Sequence, residues 1–242
     1  MAGPVALAGS GEFLPAMAEV DRVLLDGRPP RAAFLPTAAA PEGEARLRYW
    51  MELGRRHYEG LGVDAVPVPV ATRDDADDPA LAALVDGAGL VYLSGGNPHY
   101  LASTLRGSLV WRAITDAWEK GAALAGCSAG AMALTAGAPG GPLAPPGLDV
   151  ADGKANGLGV IGGLAVIPHF DMIDRWRPGA EAAFTRWCPS GCTLVGIDED
   201  TAIVRMDDGQ RWSVAGTGAA WLLGGEDRTS HRAGDQLSLA GE

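Results

Sequence analysis

Short apolar runs that end in turn residues alternate with amphipathic stretches as far as residue 135. "PVALAGSG" predicts a strand ending in glycine, and "RAAFLPTA" predicts a second. "PEGEARLRYWMELGRRHYEGLG" predicts a helix with proline at its start and glycine at its end. "AVPVPV" predicts a poorer third strand, because proline cannot donate to a ladder. "DDPALAALVDGA" reads as a short helix, "GLVYLSGG" as a strand, "NPHYLASTLRGS" and "LVWRAITDAWEKG" as helices, and "AALAGCS" as the next strand. This alternation predicts an α/β fold: a mostly parallel, doubly wound sheet with helices on both faces.

The texture changes from residue 136. "AGAPGGPLAPPGLDVADGKANG" is a Gly/Pro-rich surface loop, placed where it could act as a lid. "LGVIGGLAVIPHF" returns to apolar strand material, and "RWRPGAEAAFTRWC" predicts one helix. "TLVGIDEDTAIVRMDDGQRWSVAGTGAAWLL" predicts several additional, antiparallel strands, with "DDGQ" as a hairpin turn. The tail from Gly224 reads as one or two polar strands. There is no internal repeat and no linker, so residues 1–242 are expected to form a single domain.

Composition narrows the function classes. The chain has 242 residues, 47 % of them hydrophobic, enough for a sizeable core. Its net charge of −11 disfavours nucleic acid and anionic membranes as partners. An acidic substrate would be repelled at long range and would need arginines at the site. The three cysteines, Cys127, Cys188 and Cys192, cannot all pair within one chain, and "CPSGC" has no second half to complete a metal site. They are expected as free thiols. No basic, apolar leader opens the chain and no apolar run is long enough to span a bilayer, which points to a cytoplasmic protein.

The candidate chemistry centres on Gly126-Cys127-Ser128-Ala129-Gly130, a G-x-S-x-G pattern between an apolar strand and a helical continuation. In such an elbow the serine takes a strained backbone conformation at the sheet's end, and flanking glycines keep side chains out of the tight turn. The next amide, that of Ala129, then lies beside any developing oxyanion at a helix N-terminus. A second donor is expected from another strand-end turn, and "YLSGGN" supplies Gly95 and Gly96. Of four histidines, His57 falls on a polar helix face and reads as solvated. His231 lies in the polar tail, and His99 reads mainly as helix-start packing. His169 ends the apolar run "LAVIPHFD", where an α/β sheet exposes its site, so it is the candidate base. The acid that orients it could be Asp149 or Asp152 in the Gly/Pro loop, or Glu199 in "GIDEDTAIV". Strand ends hold groups more firmly than such a loop, which favours Glu199.

"SGGNPHYL", "AGCSAGAMAL", "VIPHFD" and "GIDEDTAIV", in this order and at about this spacing, make the chain resemble the serine peptidase family of aspartyl dipeptidase and cyanophycinase. The resemblance implies a class I glutamine amidotransferase-like fold with serine in place of the nucleophilic cysteine. It implies a Ser128-His169-Glu199 triad and oxyanion donors at Gly96 and Ala129. It implies hydrolysis of peptide or isopeptide bonds next to aspartate in a small peptide, through an acyl-enzyme and without metal or organic cofactor. Acidic substrate groups want a guanidinium fork. "DRWRP" offers Arg175 and Arg177, with Arg186 further along; Arg175 is taken as the substrate ligand, together with Asn97. Asp171 and Asp174 stand close enough in sequence to pair with these arginines instead.

Two other readings compete. One is an esterase using Ser128 and His169 with Asp149 or Asp152. The other is a non-catalytic ligand-binding protein on the same fold. A glutamine amidotransferase is disfavoured, because Ser128 stands at the nucleophile position and Cys127 should point into the sheet packing. No pattern selects an oligomeric state, and a homodimer stays open.

Overall fold

The computed structural model describes residues 1–140, 150–206, 211–224 and 227–239. Its strands are β1 (Val5–Ala8), β2 (Arg31–Leu35), β3 (Asp64–Pro67), β4 (Leu90–Leu93), β5 (Ala123–Cys127), β6 (Leu164–Ile167), β7 (Thr193–Ile197), β8 (Thr201–Arg205), β9 (Arg211–Gly216), β10 (Ala219–Gly224), β11 (Asp227–Arg232) and β12 (Gln236–Ser238). Its helices are α1 (Ala18–Leu25), α2 (Glu44–Gly60), α3 (Arg73–Ala76), α4 (Pro79–Ala83), α5 (Pro98–Leu105), α6 (Leu109–Glu119), α7 (Ala129–Leu134), α8 (Ile173–Trp176) and α9 (Ala180–Trp187).

The larger sheet runs β12-β9-β8-β1-β5-β4-β2-β3. From β1 to β3 every pairing is parallel, as the alternating pattern predicts. β8, β9 and β12 extend its other edge with antiparallel pairs. The central strands are buried on both faces. Val5, Leu7, Val91, Leu93 and Leu124 enter the core that contains residues of α5, α6 and α7. Ala6, Ala8, Leu90, Tyr92 and Cys127 enter the opposite core, with Val20 and Leu24 of α1 and Tyr58 of α2. This period-two division is what strand geometry imposes on near-continuous apolar runs.

The remaining strands form a second sheet, β11-β10-β7-β6, in which β6 and β7 are parallel. Strand patterning does not reveal this partition, because it marks strands and not their partners. The helix expected over "RWRPGAEAAFTRWC" is broken into α8 and α9. Pro178 disfavours helical backbone at Arg177, and Gly179 takes the left-handed region at φ 83°. The "DDGQ" turn lies outside the described residues.

His57 corrects its sequence reading. It is not solvated: its Nε2 lies 2.7 Å from Asp21 Oδ2, and the two side chains are 6 % and 2 % exposed. The "polar" face of α2 therefore includes one position that packs on α1. His99 is buried at the start of α5, with Nε2 3.1 Å from the Pro139 carbonyl. Among the described residues no helix is long and apolar enough to cross a membrane.

Candidate active site

Ser128 follows β5 directly and caps α7, with φ 51° and ψ −109°. An L-residue held there is strained by about 1–3 kcal/mol, which the surroundings must over-determine. Two backbone hydrogen bonds and two close approaches at the flanking glycines do so. The Ser128 amide donates to the Ala8 carbonyl of β1 at 2.9 Å, and its carbonyl accepts from the Met132 amide at 3.0 Å. A Cβ on Gly126 would stand 2.6 Å from the Gly130 carbonyl carbon, and one on Gly130 would stand 2.1 Å from the Leu93 carbonyl oxygen. The flanking glycines are thus required by the close approach of α7 to β4 and β5. Cys127, one residue before, points into the aromatic core and is fully buried. Burial first, and the neighbouring Glu12 carboxyl second, push its thiol well above the ordinary range, so it is no thiolate nucleophile.

His169 follows β6 and Glu199 follows β7, so both come from the second sheet. His169 Nε2 lies 3.0 Å from Ser128 Oγ, and His169 Nδ1 lies 3.1 Å from Glu199 Oε1. A carboxylate only accepts, so Nδ1 carries the proton and Nε2 is free to accept from the hydroxyl. His169 also has positive φ, at 51°. Its carbonyl accepts from the Met172 and Ile173 amides, and the Phe170 amide donates to the Ile197 carbonyl of β7 at 3.0 Å. The imidazole packs against Trp176, with ring centroids 5.3 Å apart. Glu199 is fixed through its backbone. Its amide donates to Asp171 Oδ1 at 2.9 Å, and its carbonyl accepts from Thr201 Oγ1 at 3.0 Å. Next to it, Asp198 accepts from the Ala219 amide and from Trp221 Nε1, each at 2.9 Å.

Of the expected oxyanion donors, Ala129 opens α7, and Gly96 sits in the turn after β4 at φ 138°. Among the described residues neither amide has a backbone or side-chain acceptor. The Gly95 amide, by contrast, is engaged by Glu12 Oε1 at 2.8 Å.

A cavity of about 630 Å³ opens beside Gly96, Ser128 and His169. Its walls are mostly apolar, with Met132, Ile173, Trp176, Ala183 and Phe184 among them. Among the described residues Arg177 is the guanidinium that lines it, placed there by the break between α8 and α9. Arg175 is exposed on α8 and does not line the cavity. Arg186 lies 3.8 Å from the exposed Asp152. Asp171 and Asp174 do not hold the arginines; they accept from the Glu199 and Glu181 amides. Asn97 caps α5, its Oδ1 accepting from the Tyr100 amide. Asp149 lies outside the described residues.

A hydroxyl, an imidazole and a carboxylate in one hydrogen-bonded chain, with two unengaged amides nearby, can activate an oxygen nucleophile for acyl transfer. The sequence pattern of peptidase family S51 matches residues 5–212, from β1 into β9. The chain belongs to peptidase family S51. It is accordingly a serine peptidase. A peptidase from an acI-B1 actinobacterium is 38 % identical, with a TM-score of 0.88 over 99 % of this chain and 98 % of its own. A putative peptidase E protein from Listeria monocytogenes EGD-e has a TM-score of 0.54 at 16 % identity, over 96 % of this chain and 99 % of its own. At that identity the likeness is one of fold. No curated protein matches the chain significantly.

The S51 pattern and the mixed, mostly parallel sheet agree with the resemblance drawn from the four motifs. Reasoning from sequence had not singled out Glu12. The available signal was a lone carboxylate in "GSGEF", at the end of the first apolar strand.

Proposed function

We propose that this S51 peptidase uses Ser128 as nucleophile, His169 as general base and Glu199 as the group that orients and charge-stabilises the imidazole. The observation that carries the reading is the unbroken contact chain from Ser128 Oγ through His169 to Glu199, at 3.0 and 3.1 Å. Oγ attacks the scissile carbonyl while its proton passes to His169 Nε2. The Gly96 and Ala129 amides meet the oxyanion of the tetrahedral intermediate. His169 then protonates the leaving amine, and the acyl-enzyme is released by water activated through the same imidazole. The scheme calls on no metal or organic cofactor.

For the substrate we propose a small peptide or isopeptide containing aspartate. Its carboxylate is assigned to Arg177 in preference to Arg175, because Arg177 lines the cavity. The apolar walls suit a second, uncharged side chain, so Asp-Leu and Asp-Phe are better candidates than Asp-Lys.

The test is amino-acid release from Asp-Leu, Asp-Phe, Asp-Lys, Ala-Leu and β-Asp-Arg, with Ser128→Ala and Glu199→Gln alongside wild type. Ser128→Ala should lose nearly all activity, about 10⁶-fold, and Glu199→Gln about 10²–10⁴-fold. Arg177→Ala should lower kcat/KM for Asp-Leu about tenfold to a hundredfold while sparing Ala-Leu. Full activity of Glu199→Gln would hand the orienting role to another acid, as in the esterase alternative. No release from any peptide, together with no labelling of Ser128 by a fluorophosphonate, would leave the ligand-binding alternative.

A further inference from the structure

Glu12 is a buried carboxyl group that the mechanism above does not use. It is 6 % exposed and sits in the turn after β1. Oε1 accepts from the Gly95 amide at 2.8 Å, and Oε2 accepts from Cys127 Sγ at 2.8 Å. It therefore touches the residue before the nucleophile and the residue before Gly96. Two hydrogen bonds to a buried carboxyl group hold it in one orientation and offset much of its desolvation.

The turn that carries it is pinned. Phe13, the next residue, has φ 63° and is 3 % exposed. Its ring lies 5.3 Å from Tyr92, 5.4 Å from Phe34 and 5.8 Å from Tyr58, centroid to centroid. An aromatic residue in the left-handed region is retained only where packing compels it. Here the ring cluster supplies the packing, so Glu12 reaches Gly95 from a rigid base.

The consequence falls on Gly96. A Gly-Gly pair has the widest backbone freedom of any dipeptide, and its central peptide can rotate at little steric cost. In "SGGN" the peptide planes on either side of that one are anchored. The Gly95 amide is held by Glu12, and the Asn97 amide donates to the Ala38 carbonyl at 2.7 Å. The plane between them carries the Gly96 N–H, which has no acceptor among the described residues. Anchoring both neighbours fixes where the unengaged N–H points. The space is filled as well: a Cβ on Gly95 would stand 2.7 Å from Glu12 Oε1 and 3.4 Å from Ser128 Cβ.

We propose that Glu12 is a positioning residue for the oxyanion hole: by accepting the Gly95 N–H it holds the Gly95–Gly96 peptide with the Gly96 N–H directed at the reacting carbonyl oxygen. This rests on Ser128 being the nucleophile, as argued under the proposed function. Glu12 itself does not touch substrate. Its effect should be felt by the tetrahedral state and not by ground-state binding.

Saturation kinetics of Ser128 labelling by an alkyl fluorophosphonate separate the two. In labelling, Oγ bonds to phosphorus, the P–F bond breaks, fluoride leaves, and the Oγ proton passes to His169. The phosphoryl oxygen of the adduct occupies the oxyanion site. Glu12→Met keeps the side chain's bulk and suits a buried position but cannot accept from Gly95. Glu12→Gln retains an acceptor oxygen. The maximal labelling rate of Glu12→Met should fall about tenfold to a hundredfold, with the reagent's apparent dissociation constant within about threefold of wild type. Glu12→Gln should recover most of the rate. Equal maximal rates for Glu12→Met and wild type would overturn the proposal, as would equal losses in Met and Gln variants. A loss confined to reagent affinity would also overturn it. Wild type that fails to label at Ser128 would instead remove the nucleophile assignment, and this proposal with it.

Discussion

At the scale of single residues, the site is made by backbone that only particular residue types allow. Gly130 is an example: a methyl group there would stand 2.1 Å from the Leu93 carbonyl oxygen and 2.8 Å from its carbon. That contact is with backbone, so β4 or α7 must shift. Gly130→Ala should cost about 1–3 kcal/mol of stability, seen as a lower melting temperature. It should also slow fluorophosphonate labelling of Ser128, because α7 carries the Ala129 amide. A variant that melts and labels as wild type does would show that the approach of α7 to β4 is not constrained. Such positions were legible in the sequence because G-x-S-x-G states them directly. Ser128, His169 and Glu199 were legible because each ends an apolar run, and the structure brings all three into hydrogen-bond contact. Glu12 was not, because its hydrogen bond is to a turn about eighty residues away in sequence. Arg177 and not Arg175 lines the cavity for a local reason: Pro178 and Gly179 end α8 and bring residue 177 to it.

At the scale of elements, α1 and α2 cover one face of the larger sheet and share the buried Asp21–His57 contact. The periodicity of α2 puts residue 57 on a face rich in arginine and glutamate, which explains why sequence reading sent it to solvent. The approach of Asp21 from another helix is not encoded in that period. Burial is the largest influence on Asp21 and raises its carboxyl above the ordinary 3.8, against a smaller lowering by His57. A group whose folded pKa is raised binds its proton more tightly in the folded state. Its contribution to stability is fully present below about pH 3.8 and is lost as pH rises through the folded value. Asp21→Asn removes this titration. The unfolding free energy of wild type minus that of Asp21→Asn should therefore fall as pH rises from about 3.8, measured by urea denaturation at several pH values. A difference that stays level or grows with pH would contradict the burial argument. The second sheet belongs to the same scale. Its strands were expected individually, but their separation from the larger sheet depends on pairings between distant segments, such as β6 with β7 and β7 with β10.

At the scale of the whole molecule, a net charge of −11 surrounds a cavity whose lining includes Arg177. The long-range field repels an anionic peptide, while the local guanidinium attracts it only at short range. Raising the salt from about 10 mM to about 150 mM shortens the screening length from about 30 Å to about 8 Å. kcat/KM for an acidic dipeptide should rise over that interval relative to an uncharged one. A fall would mean that attraction at the cavity reaches further than repulsion from the surface. The origin of the site's parts carries a different consequence, one of order in time. Ser128 leaves the larger sheet at β5, whereas His169 and Glu199 leave the second sheet at β6 and β7. A ribosome making this chain releases the serine some forty residues before the histidine and seventy before the glutamate. β8, which lies against β1, emerges later still. The nascent chain thus presents an unaided alcohol, and the hydrogen-bonded chain from Ser128 to Glu199, with the peptidase chemistry proposed for it, closes only when the last partners dock.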